Sequence, residues 1–282
     1  MLLPLVERLT RRRLNGLGIV SGQQTTAVGD LHFYSSEGAQ PLPPLVILHG
    51  FGASSTSFAR VLAYLHTRVG PILAPDAPGH GFSSARNPGL TVDLAYAGLA
   101  ELLLRRLDAP AILFGNSLGG AFALRFALEH PERVRGLFLS SPAGAALDAQ
   151  DFANLQGSFR VGSLAHARRL ADSLTHLPAW YNALLAPDLL WRFGRGHLRS
   201  VLESFQPAHM FTTEQLAELR TPTLVSWGRS ERVLPPASLE FFRRALPSHV
   251  VFEEPEGFAH CPYMDRPREL GARIVEYMRE LA

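Results

Sequence analysis

Six short apolar runs, each closed by Gly or Pro, divide the chain: residues 43–50 (PPLVILHG), 71–79, 109–115, 136–142, 221–228 and 249–257. Their apolar positions are consecutive rather than alternating, which is the pattern of strands buried on both faces. Helical-period stretches lie between them at 57–66, 91–107, 118–130, 238–245 and 268–281. Strands alternating with helices predict a mostly parallel sheet covered on both sides. Ahead of them, QTTAVGDLHFYSSEG (24–38) predicts a hairpin turning at Gly29 and Asp30. The first residues predict an amphipathic helix with Leu2, Leu5, Val6 and Leu9 on one side and Arg8, Arg11, Arg12 and Arg13 near its end. We expect that apolar side to dock on the domain, with contact to a membrane surface as the second use.

One segment breaks the alternation. Residues 143–219 contain no strand pattern, are rich in Leu, Ala, Arg and aromatics, and are punctuated by Pro178, Pro187 and Pro207. Thr212 and Gln215 stand at capping-box spacing before a final short helix. The expected organisation is therefore an α/β core from 1–142 and 220–282, interrupted by a helical insertion at 143–219. An insertion after a parallel strand lies over the carboxyl ends of the strands, where ligands bind.

Composition narrows the chemistry. Charged residues are 18% and apolar residues 46% of 282, enough for one sizeable core, and the formal net charge is only +2. That balance predicts no nucleic-acid partner. All 27 basic residues are arginine, which excludes a Schiff-base lysine, a lysine general base and a Walker-type phosphate loop. The single cysteine, Cys261, forms no internal disulfide, which fits a reducing, cytoplasmic setting. No apolar run approaches the roughly 20 residues that span a bilayer. No histidine pair has metal-ligand spacing with an acidic third ligand, so no metal or cofactor is expected.

Gly115-Asn116-Ser117-Leu118-Gly119 matches G-x-S-x-G at a predicted strand-to-helix junction. A serine there sits on a strained turn with its hydroxyl above the sheet edge, and side chains two residues away on either side would collide with backbone. The helix that starts at Leu118 directs its positive end at the same point. With HGFGASSTSF, PDAPGHGFSS, SWGRSERVLP and EGFAHCPYMDRP in order around it, the chain resembles the α/β-hydrolase fold family over nearly its whole length.

That resemblance implies a nucleophile at Ser117, a base at His260 and oxyanion donors at the backbone N–H groups of Phe51 and Leu118. Its acid position, after SWGRS, holds Glu231 where aspartate is usual, and Asp148 is the rival because some members carry the acid after the preceding strand. His49 and His80 match structural positions. The insertion matches the family's cap, and its aromatics, Trp180 and Trp191 among them, are expected partly to pack and partly to contact substrate. The function implied is hydrolysis of small-molecule carboxylic esters with hydrophobic acyl groups through an acyl-serine. Asn116 is a further substrate-contact candidate and marks an alternative, because GNS followed by a hydrophobic residue and GG is similar to C–C bond hydrolases of ring-opened aromatic diketones. Those enzymes tend to carry tryptophan after the catalytic histidine, where this chain has Cys261, and a cap arginine, for which Arg192 and Arg195 are the candidates. A third reading is a non-catalytic binding or accessory protein on the same fold.

Overall fold

The computed structural model describes residues 3–178, 182–194 and 196–282. The strands are β1 (Val20–Thr25), β2 (Asp30–Ser36), β3 (Leu45–Leu48), β4 (Ile72–Pro75), β5 (Ala111–Asn116), β6 (Val134–Ser140), β7 (Thr223–Ser226) and β8 (Val251–Glu253). They form one sheet in the order β1-β2-β4-β3-β5-β6-β7-β8. The two pairings that involve β2 are antiparallel and the rest are parallel. All six predicted apolar runs become strands.

For β3, β5, β6 and β7 the continuous hydrophobicity has a direct cause, because these strands are buried on both sides and alternate residues enter two different cores, whereas β8 is partly exposed. Val46, Leu48, Leu113, Leu137, Leu139 and Val225 face the helices Val92–Arg106, Leu118–Glu129 and Pro236–Ala245. Leu45, Ile47, Ile112, Phe114, Phe138 and Leu224 face Ala59–Leu65 and Pro267–Glu280. Each fully buried side chain of this kind contributes about 1.5–3 kcal/mol relative to exposure.

Three local expectations are corrected. The hairpin turns at Thr26–Gly29, where the Thr26 N–H donates to the Gly29 carbonyl at 2.9 Å, and Asp30 is already in β2 opposite Thr25. Gly29 is needed for close approach, since a Cβ there would lie 2.6 Å from the Ser84 carbonyl oxygen. Pro187 lies inside the helix Asn182–Phe193 rather than ending one. Its ring removes one N–H from the ladder early in the helix, and the segment continues past it.

The leading helix forms, at Leu3–Gly16, but its apolar side is not the docked one. Leu5, Val6 and Leu9 are 56%, 51% and 54% exposed, while Leu14 is buried at 1%. Leu2 lies outside the described residues. Polar contacts through Glu7, described below, hold the inner face.

Between β6 and β7 the chain folds as Ala149–Phe159, Leu164–Leu174, Asn182–Phe193, Gly196–Ser204 and Thr213–Ala217. The Thr212 hydroxyl accepts from the Gln215 N–H at 3.2 Å, and the Gln215 side chain accepts from the Thr212 N–H at 2.9 Å. No described helix is long and apolar enough to cross a membrane.

Candidate active site

β5 ends at Asn116 and the helix Leu118–Glu129 begins immediately after Ser117. Ser117 has φ 54° and ψ −119°, a sharp reversal that a non-glycine residue adopts at a cost of order 1–3 kcal/mol. Its neighbours permit the turn. A Cβ on Gly115 would lie 2.4 Å from the Gly119 carbonyl oxygen, and one on Gly119 would lie 2.3 Å from that of Leu48. Leu118, as the first helical residue, carries one of the N–H groups that a helix leaves without an internal partner.

His260 follows β8 in a buried loop and is 3% exposed. Its Nδ1 lies 2.9 Å from Glu231 Oε2. Glu231 Oε1 accepts from the Val233 and Leu234 N–H groups at 2.7 and 3.1 Å, which fixes the carboxylate. Burial alone would raise the Glu231 carboxyl. The facing His260, as charge and as hydrogen-bond partner, and the Val233 N–H outweigh it and hold the carboxyl below its ordinary value. Asp148 lies elsewhere, capping Ala149–Phe159 by accepting from the Asp151 N–H at 2.8 Å.

Asn116 lines the cavity beside Ser117, yet its amide nitrogen donates to the carbonyls of Ser140 (3.1 Å) and His260 (2.7 Å). Its side chain ties the end of β5 to the histidine loop. Cys261 is 4% exposed, burial pushes its thiol up to about 12, and Tyr263 Oη donates to its sulfur at 3.1 Å. Such a thiol is inert at neutral pH. His49 and His80 are buried in the adjoining loops. His49 Nε2 accepts from the Ala77 N–H at 3.0 Å, and His80 Nδ1 meets the Pro78 carbonyl at 2.9 Å.

A Ser–His–Asp chain also lies toward the β1 edge of the sheet. Ser21 Oγ is 2.7 Å from His32 Nε2, and His32 Nδ1 is 2.9 Å from Asp76 Oδ2. Asp76 also accepts from the Ser55 N–H and hydroxyl and the Phe82 N–H, so its carboxylate is a structural hub. Ser21 sits within strand β1 rather than on an elbow. Residue types alone therefore do not make a site.

A family model described as the alpha/beta hydrolase fold matches residues 43–267. The chain belongs to the α/β-hydrolase fold family. Among its relatives is the pimeloyl-[acyl-carrier protein] methyl ester esterase of Neisseria meningitidis serogroup C, 27% identical over 246 residues, covering 82% of this chain and 92% of that one. Among solved structures, naproxen esterase (carboxylesterase NP) from Bacillus subtilis superposes with a TM-score of 0.72 at 23% identity, covering 97% of each chain. The 2-hydroxy-6-oxo-6-phenylhexa-2,4-dienoate hydrolase of Rhodococcus sp. strain RHA1 does so with a TM-score of 0.77 at 22% identity, covering 93% of this chain and 99% of that one. Esterases and a C–C bond hydrolase thus share this fold, and the chain is a hydrolase of the α/β fold.

In this α/β hydrolase two cavities meet at Ser117, Phe51 and Phe159. The first runs under the inserted helices past Leu118, Leu147, Phe152, Leu155, Phe205 and Leu234, and its lining is almost wholly apolar. The second holds His260, Asn116, Asn182 and Arg192, with Leu3 of the leading helix at its edge. Among the described residues, Phe152, Phe159, Phe193 and Phe205 are thus the insertion's aromatics that reach these cavities. Trp191 lines a separate crevice with Leu3, Pro4 and Arg8, on another face of its helix. Trp180 and Arg195 lie outside the described residues.

Arg192 carries a role that sequence reading did not find. Its Nη1 donates to the Gly52 carbonyl at 3.0 Å and its Nη2 to Glu7 Oε1 at 2.5 Å, and Ser54 Oγ donates to the same Glu7 oxygen at 3.2 Å. Both side chains are nearly buried, 11% and 12% exposed. Glu7 and Arg192 stand 185 positions apart, and no local signal pairs them.

Proposed function

We propose that the chain is a serine carboxylesterase acting on small-molecule esters with hydrophobic acyl groups. The observation that carries this reading is the pair of unlike cavities meeting at Ser117. The apolar one suits an acyl chain, and the one beside His260 suits the departing alcohol, which must collect a proton there.

In this mechanism Ser117 Oγ attacks the ester carbonyl while His260 Nε2 takes its proton. Glu231 holds Nδ1–H and stabilises the imidazolium. The carbonyl π electrons move onto oxygen, which the N–H groups of Phe51 and Leu118 receive. Collapse breaks the C–O bond, the His260 proton goes to the leaving alcohol oxygen, and the acyl group stays on Ser117. Water then attacks with His260 as base, the proton returns to Ser117 Oγ, and the carboxylic acid leaves. Loss of one oxyanion donor costs about 2.7–4 kcal/mol of barrier. The inserted helices act as the cap that excludes water from the acyl cavity.

Arg192 weighs against the C–C hydrolase alternative. A substrate carboxylate needs a cation to receive it, and the Arg192 guanidinium is already balanced by Glu7 and bound to Gly52. Asn116, the residue that suggested that alternative, is occupied by two backbone carbonyls.

A panel of nitrophenyl esters from acetate to decanoate, run beside a coloured vinylogous diketone, tests the reading. Turnover that rises from acetate to medium chains, with no diketone turnover, is the expected result. Diketone turnover without ester turnover assigns the C–C reaction. Native protein that a fluorophosphonate probe does not label assigns a binding role.

A further inference from the structure

The leading helix is turned inside out relative to a surface helix of a globular domain. Such a helix puts its apolar stripe on the core and its charges in water. Here the inner face carries Glu7, bound to Arg192 and Ser54, and only Leu14 is fully buried. The outer face carries Leu5, Val6 and Leu9, each more than half exposed, together with exposed Arg8, Arg12 and Arg13. At 3.6 residues per turn these six side chains fall within an arc of about 160°. The helix's one acid, Glu7, points inward, so every charge on that outward arc is positive.

We propose that this face docks on an anionic lipid surface. Three large aliphatic side chains flanked by guanidinium groups match the two layers of such a surface, acyl chains below and anionic headgroups around them. An apolar face kept in water is a standing cost that a partner removes, and the arginine rim selects a partner of opposite sign. The helix is about 21 Å long, so it lies in the interface rather than crossing it. Leu3, in its first turn, borders the cavity that holds Ser117 and His260. Leu3 lies toward the inner side of the helix, so docking sets the lipid one helix diameter, roughly 10 Å, from that part of the cavity. The inference does not rest on the ester reading, because vesicle binding is measured without turnover.

The test is co-sedimentation of the full chain with phosphatidylglycerol–phosphatidylcholine vesicles and with pure phosphatidylcholine vesicles. The expected result is at least tenfold stronger partition onto the anionic vesicles, weakened by 0.5 M salt. Leu5→Glu with Leu9→Glu removes binding to both kinds of vesicle. Arg12→Gln with Arg13→Gln lowers the anionic partition by roughly tenfold or more, following the contribution of each arginine near such a surface. All four side chains are in solvent, so circular dichroism and the thermal midpoint stay at native values. Equal binding to both lipid compositions, no binding by the native chain, or full binding by the Leu5→Glu/Leu9→Glu protein overturns the proposal. Sedimentation velocity supplies a further check. A concentration-dependent dimer that the same substitutions dissociate, in a chain that ignores vesicles, gives the face to a second copy and also overturns it.

Discussion

His260 is fixed at two points by groups of different kinds, Glu231 at Nδ1 and Asn116 at the backbone carbonyl. The carboxylate sets the tautomer, and the amide sets where the ring starts from. Glu231→Gln keeps the shape and removes the charge, so kcat on a nitrophenyl ester should fall by about 10⁴. Asp148→Asn, which keeps a helix cap, should leave kcat within twofold; the opposite pattern would move the acid to Asp148. His80 makes a pH prediction. Burial first, then the neighbouring His49, lowers its imidazole from 6.5 to about 3 in the folded chain. The unfolded chain takes up that proton below pH 6.5, so the stabilisation is complete above 6.5 and is lost as pH falls toward 3. Between pH 7 and pH 5 this amounts to about 2 kcal/mol of unfolding free energy. His80→Asn keeps a donor for the Pro78 carbonyl and does not titrate. Its urea-unfolding curves at the two pH values should differ by about that much less than those of the native chain.

Individual elements were legible where one segment decides its own state. The apolar runs of β3, β5 and β7 are buried at every position, so continuous hydrophobicity was sufficient to find them. The elbow was legible for a similar reason, since the collisions that demand Gly115 and Gly119 arise within a few residues or on the adjacent strand. The hairpin turn and the direction of the leading helix were not. Gly29 answers to Ser84 and Glu7 to Arg192, and neither partner is near in sequence. The same glycine-to-alanine change should therefore have opposite signs in two helices. Gly119→Ala puts a Cβ 2.3 Å and 2.6 Å from the carbonyl oxygens of Leu48 and His49. Backbone must move, so a loss of about 3 kcal/mol or more is expected. Gly157, within Ala149–Phe159, has nothing within 4 Å of its would-be Cβ. Gly157→Ala should stabilise by about 0.5–1 kcal/mol through helix propensity alone. Thermal midpoints of the two proteins should move in opposite directions from the native value.

Across the whole molecule, Glu7 and Arg192 join three parts that are far apart in the chain: the leading helix, the loop that carries Phe51, and the inserted helices. Arg192 gives one guanidinium nitrogen to Glu7 and the other to the Gly52 carbonyl, one residue beyond the Phe51 N–H that we assign to the oxyanion. A pair this deeply placed is poor evidence of net stabilisation, because taking both charges from water offsets much of their attraction. Breaking it is a different matter. Glu7→Gln leaves a nearly buried guanidinium without its counter-charge, and a loss of about 3 kcal/mol is expected. Arg192→Met strands the carboxylate at a similar cost. The double variant Glu7→Leu/Arg192→Met strands neither, so it should recover most of the loss and show strong coupling in a double-mutant cycle. Its kinetics separate anchoring from packing. If the guanidinium holds the oxyanion loop in place, the double variant is stable yet keeps a lowered kcat with KM little changed, because Gly52 has lost its donor. Recovery of kcat together with stability would mean that the pair only fastens the leading helix to the inserted segment.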